Sequence, residues 1–299
     1  MLRTYRGEII LFFVTLIVAS GWFFSKFSLV EFPPIGFIGA RFFLAFLIFL
    51  PFAYKELRTL SRQQVRNACS VGLCYTIYLV LWLLGLIHSE HFGEGAFIVS
   101  LSMLIAPLFA WLFFKEPPRT IFWLSLPIAT TGLYLLSSSK NGIHLSLGNL
   151  IFLSASLLVA IYFVLNNQFT RSVPVLSLTT LQVGIVGLCC GVYSLLFETF
   201  PETISTEVWL WFTASLLIAT NLRMLIQTIG QKYCHVSNAA IIMILEPVWT
   251  LLLSILILEE QLSWQKAIGC FCIICALIIY RFPFSRFRSA KNIYNIKRN

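Results

Sequence analysis

Aspartate is absent from this sequence: all twelve acidic residues among its 299 are glutamates. That excludes aspartyl-phosphate pumps, aspartyl dyads and histidine–aspartate relays. Nor is there a G-x-x-x-x-G-K-[ST] phosphate loop, an H-E-x-x-H or a G-x-S-x-G motif, so nucleotide hydrolysis within the chain is not expected. Charge of either sign is scarce, at 11%, against 59% hydrophobic residues and a mean hydropathy of +0.87. Water is therefore not the main solvent of this chain. A helix crossing hydrocarbon needs roughly 20 apolar residues, which leaves room for about ten spans with short connections and none for a separate soluble domain.

The expected spans run from 8 to 28, 34 to 54, 67 to 87, 92 to 114, 120 to 137, 146 to 166, 176 to 197, 207 to 229, 236 to 258 and 263 to 282. Turn and charge signals separate them, among them Pro33-Pro34, Lys55 to Arg66, Pro117-Pro118, Ser137 to Gly142 and Pro174. The first span reads as an uncleaved helix, because Trp22, Phe23 and Phe24 extend the apolar run past a weak cleavage pattern. With the amino terminus inside, sixteen Lys and Arg fall on cytoplasmic segments and only Lys26, Lys140 and Lys266 outside. That bias predicts an even number of spans with both termini cytoplasmic. The formal charge of +9 follows the same distribution, so it indicates cytoplasmic loops and not nucleic-acid binding. Seven of the eight cysteines lie in apolar runs and Cys234 in a cytoplasmic loop, so no external disulfide framework is expected.

The sequence resembles itself at an offset near 140. Ala19-Ser20-Gly21-Trp22 corresponds to Val159-Ala160-Ile161-Tyr162, and Arg41 falls opposite Gln182. Gly95-Ala96-Phe97-Ile98 through Lys115-Glu116 parallels Ala239-Ala240-Ile241-Ile242 through Glu259-Glu260 at an offset of 144, whereas Pro107 and Pro247 match at 140. The two registers differ by about one helical turn, and the sequence leaves the choice open. Each copy holds five spans, an odd number, so the second must enter from the opposite side. The expected organisation is a first repeat over 1–139, a second over 140–283 and a basic cytoplasmic tail over 284–299: an all-α integral membrane protein of two inverted five-helix repeats.

Gly95-Ala96-Phe97-Ile98 with Ala106-Pro107-Leu108, Gln227-x-x-Gly230-Gln231-Lys232-Tyr233, and Ala239-Ala240-Ile241-Ile242-x-x-x-Glu246-Pro247-Val248 followed by Glu260 resemble the EamA-type proteins of the drug/metabolite transporter superfamily. The similarity runs from Trp22 to Tyr280. It implies a bacterial inner-membrane carrier of five plus five helices for amino acids, for nucleoside-like metabolites such as S-adenosylmethionine, or for vitamins or drugs. An amino acid or related metabolite is the leading expectation. A non-transporting receptor or scaffold is the rival of another class. Asn221 and Arg223 depart from the family pattern, which usually has small or apolar residues there.

Several polar residues sit where lipid would penalise them. Glu246, midway along span nine, reads as a substrate contact or a proton site, against a structural ion pair or a cap for backbone freed by Pro247. Arg223 is its expected partner. On an ideal helix it shares a sector of about 80° with Thr213, Thr220 and Gln227; the bland reading is snorkelling toward headgroups. Arg41 could grip a carboxylate or phosphate through its planar fork, or rest on carbonyls at the outer mouth. Pro107 and Pro247 each free the carbonyl four residues earlier, a pointer to a binding site or to plain packing. Trp22, Tyr78, Trp82 and Tyr162 could line an aromatic pocket or a core. The expected substrate-binding set is thus Trp22, Arg41, Tyr162, Gln182, Arg223, Gln227 and Glu246, with kinks at Pro107 and Pro247, no catalytic group, no metal and no cofactor. Partners would be a small-molecule substrate, membrane lipid, protons as a possible coupling ion and a possible second copy of the chain. His88, Glu90, His91 and Glu94 only imitate metal-ligand spacing, and Cys272-x-x-Cys275 has no companion ligand. Gly184, Gly187 and Gly191 mark a close helix-packing face on span seven. Spans five and ten, nearly free of polar residues, are expected at the periphery or in a dimer contact.

Overall fold

The computed structural model describes residues 5–88, 98–137, 146–259 and 263–281. Among them there is no β-strand. We number the helices α1 (Arg6–Ser28), α2 (Pro34–Leu57), α3 (Arg62–Ile87), α4 (Ile98–Phe114), α5 (Thr120–Ser137), α6 (Leu147–Phe169), α7 (Val175–Phe197), α8 (Thr206–Lys232), α9 (segments Val236–Met243 and Glu246–Leu258) and α10 (Trp264–Arg281). Seven of these, α1 to α3 and α6 to α9, are long and apolar enough to cross a bilayer, and α4, α5 and α10 are shorter apolar helices. Their outer faces carry residues such as Leu195 and Leu256, exposed by 78% and 77%. A surface of that kind is compatible with lipid and not with water, and the chain is a multi-pass membrane protein.

The helix starts follow local chemistry. Ser61 and Gln64 form a reciprocal capping box on α3, and Ser146 and Ser205 accept from backbone N–H groups at the starts of α6 and α8. Pro33-Pro34 and Pro174 open α2 and α7, where a missing N–H costs nothing. The start of α2 has a further partner: Glu198, just past α7, accepts from Ile35 N at 3.0 Å and Gly36 N at 2.6 Å. Reciprocally, Glu56 near the end of α2 accepts from Ser177 Oγ in the first turn of α7 at 3.0 Å. Each helix of this pair thus carries the carboxylate that meets the positive end of the other.

Helices α2 and α7 lie antiparallel and in backbone contact. A Cβ added at Gly39 would stand 2.6 Å from Gly191 N, one at Gly187 would overlap Phe43 N, and one at Gly184 would stand 2.8 Å from the Phe46 ring. Of the three glycines marked from sequence as a packing face, Gly184 and Gly187 are therefore the ones whose missing side chains let α2 approach, whereas a Cβ at Gly191 would meet nothing within 4 Å. Helices α5 and α10 pair in the same way, Gly132 lying close against the carbonyl of Gly269. Around these pairs α1 packs on α8 and α9, α3 on α6 and α7, and the second segment of α4, Ser102–Phe114, on α6 and the first segment of α9.

The register left open by the sequence is decided here. Leu101 O accepts from both Leu104 N and Ile105 N, and Leu245 O accepts from both Val248 N and Trp249 N. Helix α4 breaks at Leu101 and α9 at Ile244-Leu245. Both helices end in a left-handed residue, Lys115 at φ 55° and Glu259 at φ 52°. Every one of these correspondences has an offset of 144, so Pro107 and Pro247 are not structural equivalents. Pro107 is buried inside the second segment of α4, six residues after the break. Pro247 stands two residues after its own.

Candidate functional site

A cavity of about 520 Å³ lies between α1, α2, α3, α4, α6, α8 and α9. It reaches Leu29, Pro34 and Lys266 at the end of the bundle where α1 stops and α2 starts. Six of the seven residues marked from sequence line it: Trp22, Arg41, Tyr162, Arg223, Gln227 and Glu246. Gln182 does not. It is fully buried behind Tyr162, whose hydroxyl donates to Gln182 Oε1 at 3.5 Å. Pro247 is on the wall and Pro107 is not.

Glu246 is the first residue after the α9 break, and its Oε1 accepts from Trp22 Nε1 at 3.0 Å. The break explains its position, because a carboxylate beside interrupted backbone faces donors and cavity instead of hydrocarbon. Trp22 in turn meets Trp82 edge-on, their centroids 5.3 Å apart. Arg223, expected as the partner of Glu246, takes a different one: its terminal nitrogen donates to Tyr75 Oη at 3.1 Å, with Met224 Sδ at 3.3 Å. Among the described residues no ion pair forms between them; both ion pairs found involve Glu116.

Arg41 is held by hydroxyls. One terminal nitrogen donates to Ser25 Oγ at 3.1 Å and to Ser215 Oγ at 2.8 Å, and the guanidinium stands over the rings of Phe37 and Phe42, 4.6 and 5.1 Å from their centroids. Ser215 opens the stretch Ser215–Leu222 over which α8 is π-helical, a wider winding that is frequent at functional sites. The same winding overturns the polar stripe expected on α8. Thr213 is on the outer surface, bonded to Trp209 O, and Thr220 turns back to Ser215 O, so only Arg223 and Gln227 of that set reach the cavity. An angle of 100° per residue does not hold across a π segment.

Three contributors escaped the sequence reading. Tyr75 stacks on Tyr162 at 4.4 Å and binds Arg223; its spacing to Tyr78 and Trp82 on one helical face was the available signal. Ser25 and Ser215 carried no signal, since small hydroxyls are common in membrane helices. One helical turn beyond Tyr162 and Gln227, a buried polar network closes the other end of the cavity. Gln182 Nε2 donates to Asn166 Oδ1 at 2.6 Å, Asn166 Nδ2 to Gln231 Oε1, and Asn167 Nδ2 to the carbonyls of Gln231 and Cys234 at 2.7 and 2.9 Å. Farther out, Glu116 binds Arg171 at 2.6 Å and approaches His235 Nε2 at 3.4 Å. Partial burial pushes the Glu116 carboxyl upward, but its bonds and the neighbouring charge of Arg171 prevail and hold it below the ordinary range. Of the metal-like cluster, Glu90, His91 and Glu94 lie outside the described residues, and His88 Nδ1 meets Leu84 O at 2.9 Å. Glu260 and the tail over 284–299 are also outside them.

The sequence profile described as the EamA-like transporter family matches residues 5–138 and again 146–282. An uncharacterized transporter of Archaeoglobus fulgidus is 27% identical over 269 residues, spanning 89% of this chain and 82% of that protein. A second uncharacterized transporter of the same organism is 23% identical over 240 residues, spanning 80% and 83%. One crystal structure superimposes with a TM-score of 0.77 at 17% identity, covering 91% of this chain and 95% of that one, a likeness of fold.

Proposed function

Because the chain belongs to the EamA-like transporter family, we propose that it is a secondary carrier of ten membrane-crossing helices, built as two inverted five-helix repeats and working by alternating access. Its substrate is a small polar metabolite, an amino acid or a related compound. It resides in a bacterial inner membrane with both termini cytoplasmic, and protons acting at Glu246 are its coupling ion. It is not an enzyme. The observation that carries this reading is the charged cavity, which reaches one end of the bundle while the Asn166–Gln231 network and the Glu116–Arg171 pair cover the other. With the amino terminus inside, that is an outward-open state. The antiparallel lie of α2 and α7 supports the inversion, since a two-fold related pair of repeats supplies the second, inward-open state from the same elements.

Reporter fusions and flux test the two parts separately. Fusions after Asn299 and between Lys55 and Arg66 read cytoplasmic, and one near Asn141 reads external; a carboxyl terminus on the outside overturns the inverted arrangement. Saturable counterflow of a metabolite in proteoliposomes is expected of a carrier, whereas a receptor or scaffold gives none.

A further inference from the structure

The charges in the cavity do not balance. Among the described residues that line it, Arg41 and Arg223 are cationic and Glu246 is the only carboxylate. The two guanidinium groups are also held entirely by neutral partners. Arg41 rests on two serine hydroxyls and two phenyl faces, Arg223 on a tyrosine hydroxyl and a thioether. The Nε of each is buried and has no hydrogen-bond partner. Glu246 neutralises neither of them directly, because no carboxylate oxygen lies within 4.0 Å of either side chain among the described residues, and one of its own oxygens is taken by Trp22.

A buried guanidinium with open donors is costly unless something negative completes it. Neutral hydroxyls orient the group without cancelling its charge, which keeps its field available to a ligand. Against this, the walls offer flat apolar surface from the Tyr75–Tyr162 stack and the Trp22–Trp82 pair. Resting on the carrier reading above, we infer that the transported compound is a small organic acid of net charge −1, its carboxylate taken by Arg41 and Arg223 and its body lying on the aromatic walls. Glu246 then stands opposite, where it repels a second acid and attracts an ammonium group, which narrows the preference for the anion over a zwitterion without reversing it.

The test uses the purified full chain in detergent and three ligands with one ring and one carbon chain: 3-phenylpropionate, phenylalanine and 3-phenylpropylamine, which at neutral pH are an anion, a zwitterion and a cation. Titration calorimetry is expected to rank them in that order, the anion ahead of the zwitterion by about tenfold. Arg41→Gln removes the excess positive charge and brings that ratio to within about twofold, whereas Glu246→Gln widens it. Ratios within one preparation are unaffected by a loss of folded protein. Tightest binding of the zwitterion or the amine, an unchanged ratio in Arg41→Gln, or no saturable binding of the anion at about 10 mM overturns the inference. Counterflow separates it from the carrier reading: no flux of any solute defeats the carrier, while flux confined to neutral or cationic solutes defeats only the claim about charge.

Discussion

The broken helices α4 and α9 share a backbone and differ in what they carry. Both stop at the same place in the repeat, both reuse one leucine carbonyl for two donors, and both end in a left-handed residue. Yet the first residue after the break is Ser102 in one and Glu246 in the other. The same division runs through the cavity. Trp22 and Arg41 of the first copy correspond in sequence to Tyr162 and Gln182 of the second, and Gln182 is off the wall, in a buried network. Repetition supplies the frame and substitution between copies supplies the chemistry: a frame with two equal copies would have either no charge or twice the charge to desolvate.

The largest effect expected from breaking this asymmetry is at Glu246. Glu246→Gln keeps the shape but cannot bind and release a proton, so pH-dependent net transport is abolished while exchange of labelled substrate partly survives. Glu246→Ala also leaves Trp22 Nε1 without its acceptor and damages both, exchange falling by about tenfold or more. Ser102→Ala, the matching change in the first copy, should leave both within about twofold. Net transport by Glu246→Gln with an ordinary pH profile would remove that residue from coupling.

Arg41 and Gln182 sharpen the comparison, because equivalent positions should fail differently. Arg41→Lys keeps the charge but not the planar fork, and should weaken substrate binding by about tenfold with little change in unfolding temperature. Gln182→Leu leaves Asn166 Oδ1 unpaired in a buried network, costing about 1–3 kcal/mol of stability and lowering the unfolding midpoint in detergent before it touches affinity. The opposite pattern in either variant would exchange their roles.

A smaller effect is expected at the contact between the copies. Gly187→Ala drives a methyl into the Phe43 backbone and should cost about 1–3 kcal/mol, as overpacking does. Gly191→Ala meets nothing within 4 Å and should fall within about 0.5 kcal/mol of the parent. Equal midpoints in thermal unfolding would show that α2 and α7 are not locked by these glycines.

The smallest effect is at His235, whose Nδ1 accepts from Ser237 N at 3.3 Å at the start of α9. Burial lowers its pKa below 6.5, with Arg171 and Arg119 acting the same way and Glu116 opposing. The neutral ring therefore contributes stability that is complete above 6.5 and is lost as pH falls through the lower folded value. Between about pH 7.5 and about pH 5 the parent should lose more stability than His235→Asn, which caps without titrating. Equal losses would show that the ring does not titrate in that window. His91 occupies the matching place in the first copy and lies outside the described residues.

Much of this was legible in the chain. Apolar runs and the Lys and Arg distribution announce a helical membrane protein, because hydrocarbon admits few other backbones. Four of the six cavity residues, Arg41, Arg223, Gln227 and Glu246, could be named since charge and amide groups inside apolar runs have few places to go, and Trp22 and Tyr162 as candidates for an aromatic wall. Internal similarity revealed the two copies, although its prolines suggested a competing register. What the chain could not disclose depends on how helices meet. The offset of 144 needed the two breaks and their shared hydrogen bonds. The partners of Arg223 and Glu246 needed the packing of α3 and α1 against them, and the position of Gln182 needed α7 to stand behind α6. Thr213 and Ser215 were out of reach because eight residues of π-helix turn the face of α8, and periodicity assumes a constant turn. Composition and period are properties of single segments; a cavity belongs to several segments at once, and only their packing decides which side chains it receives.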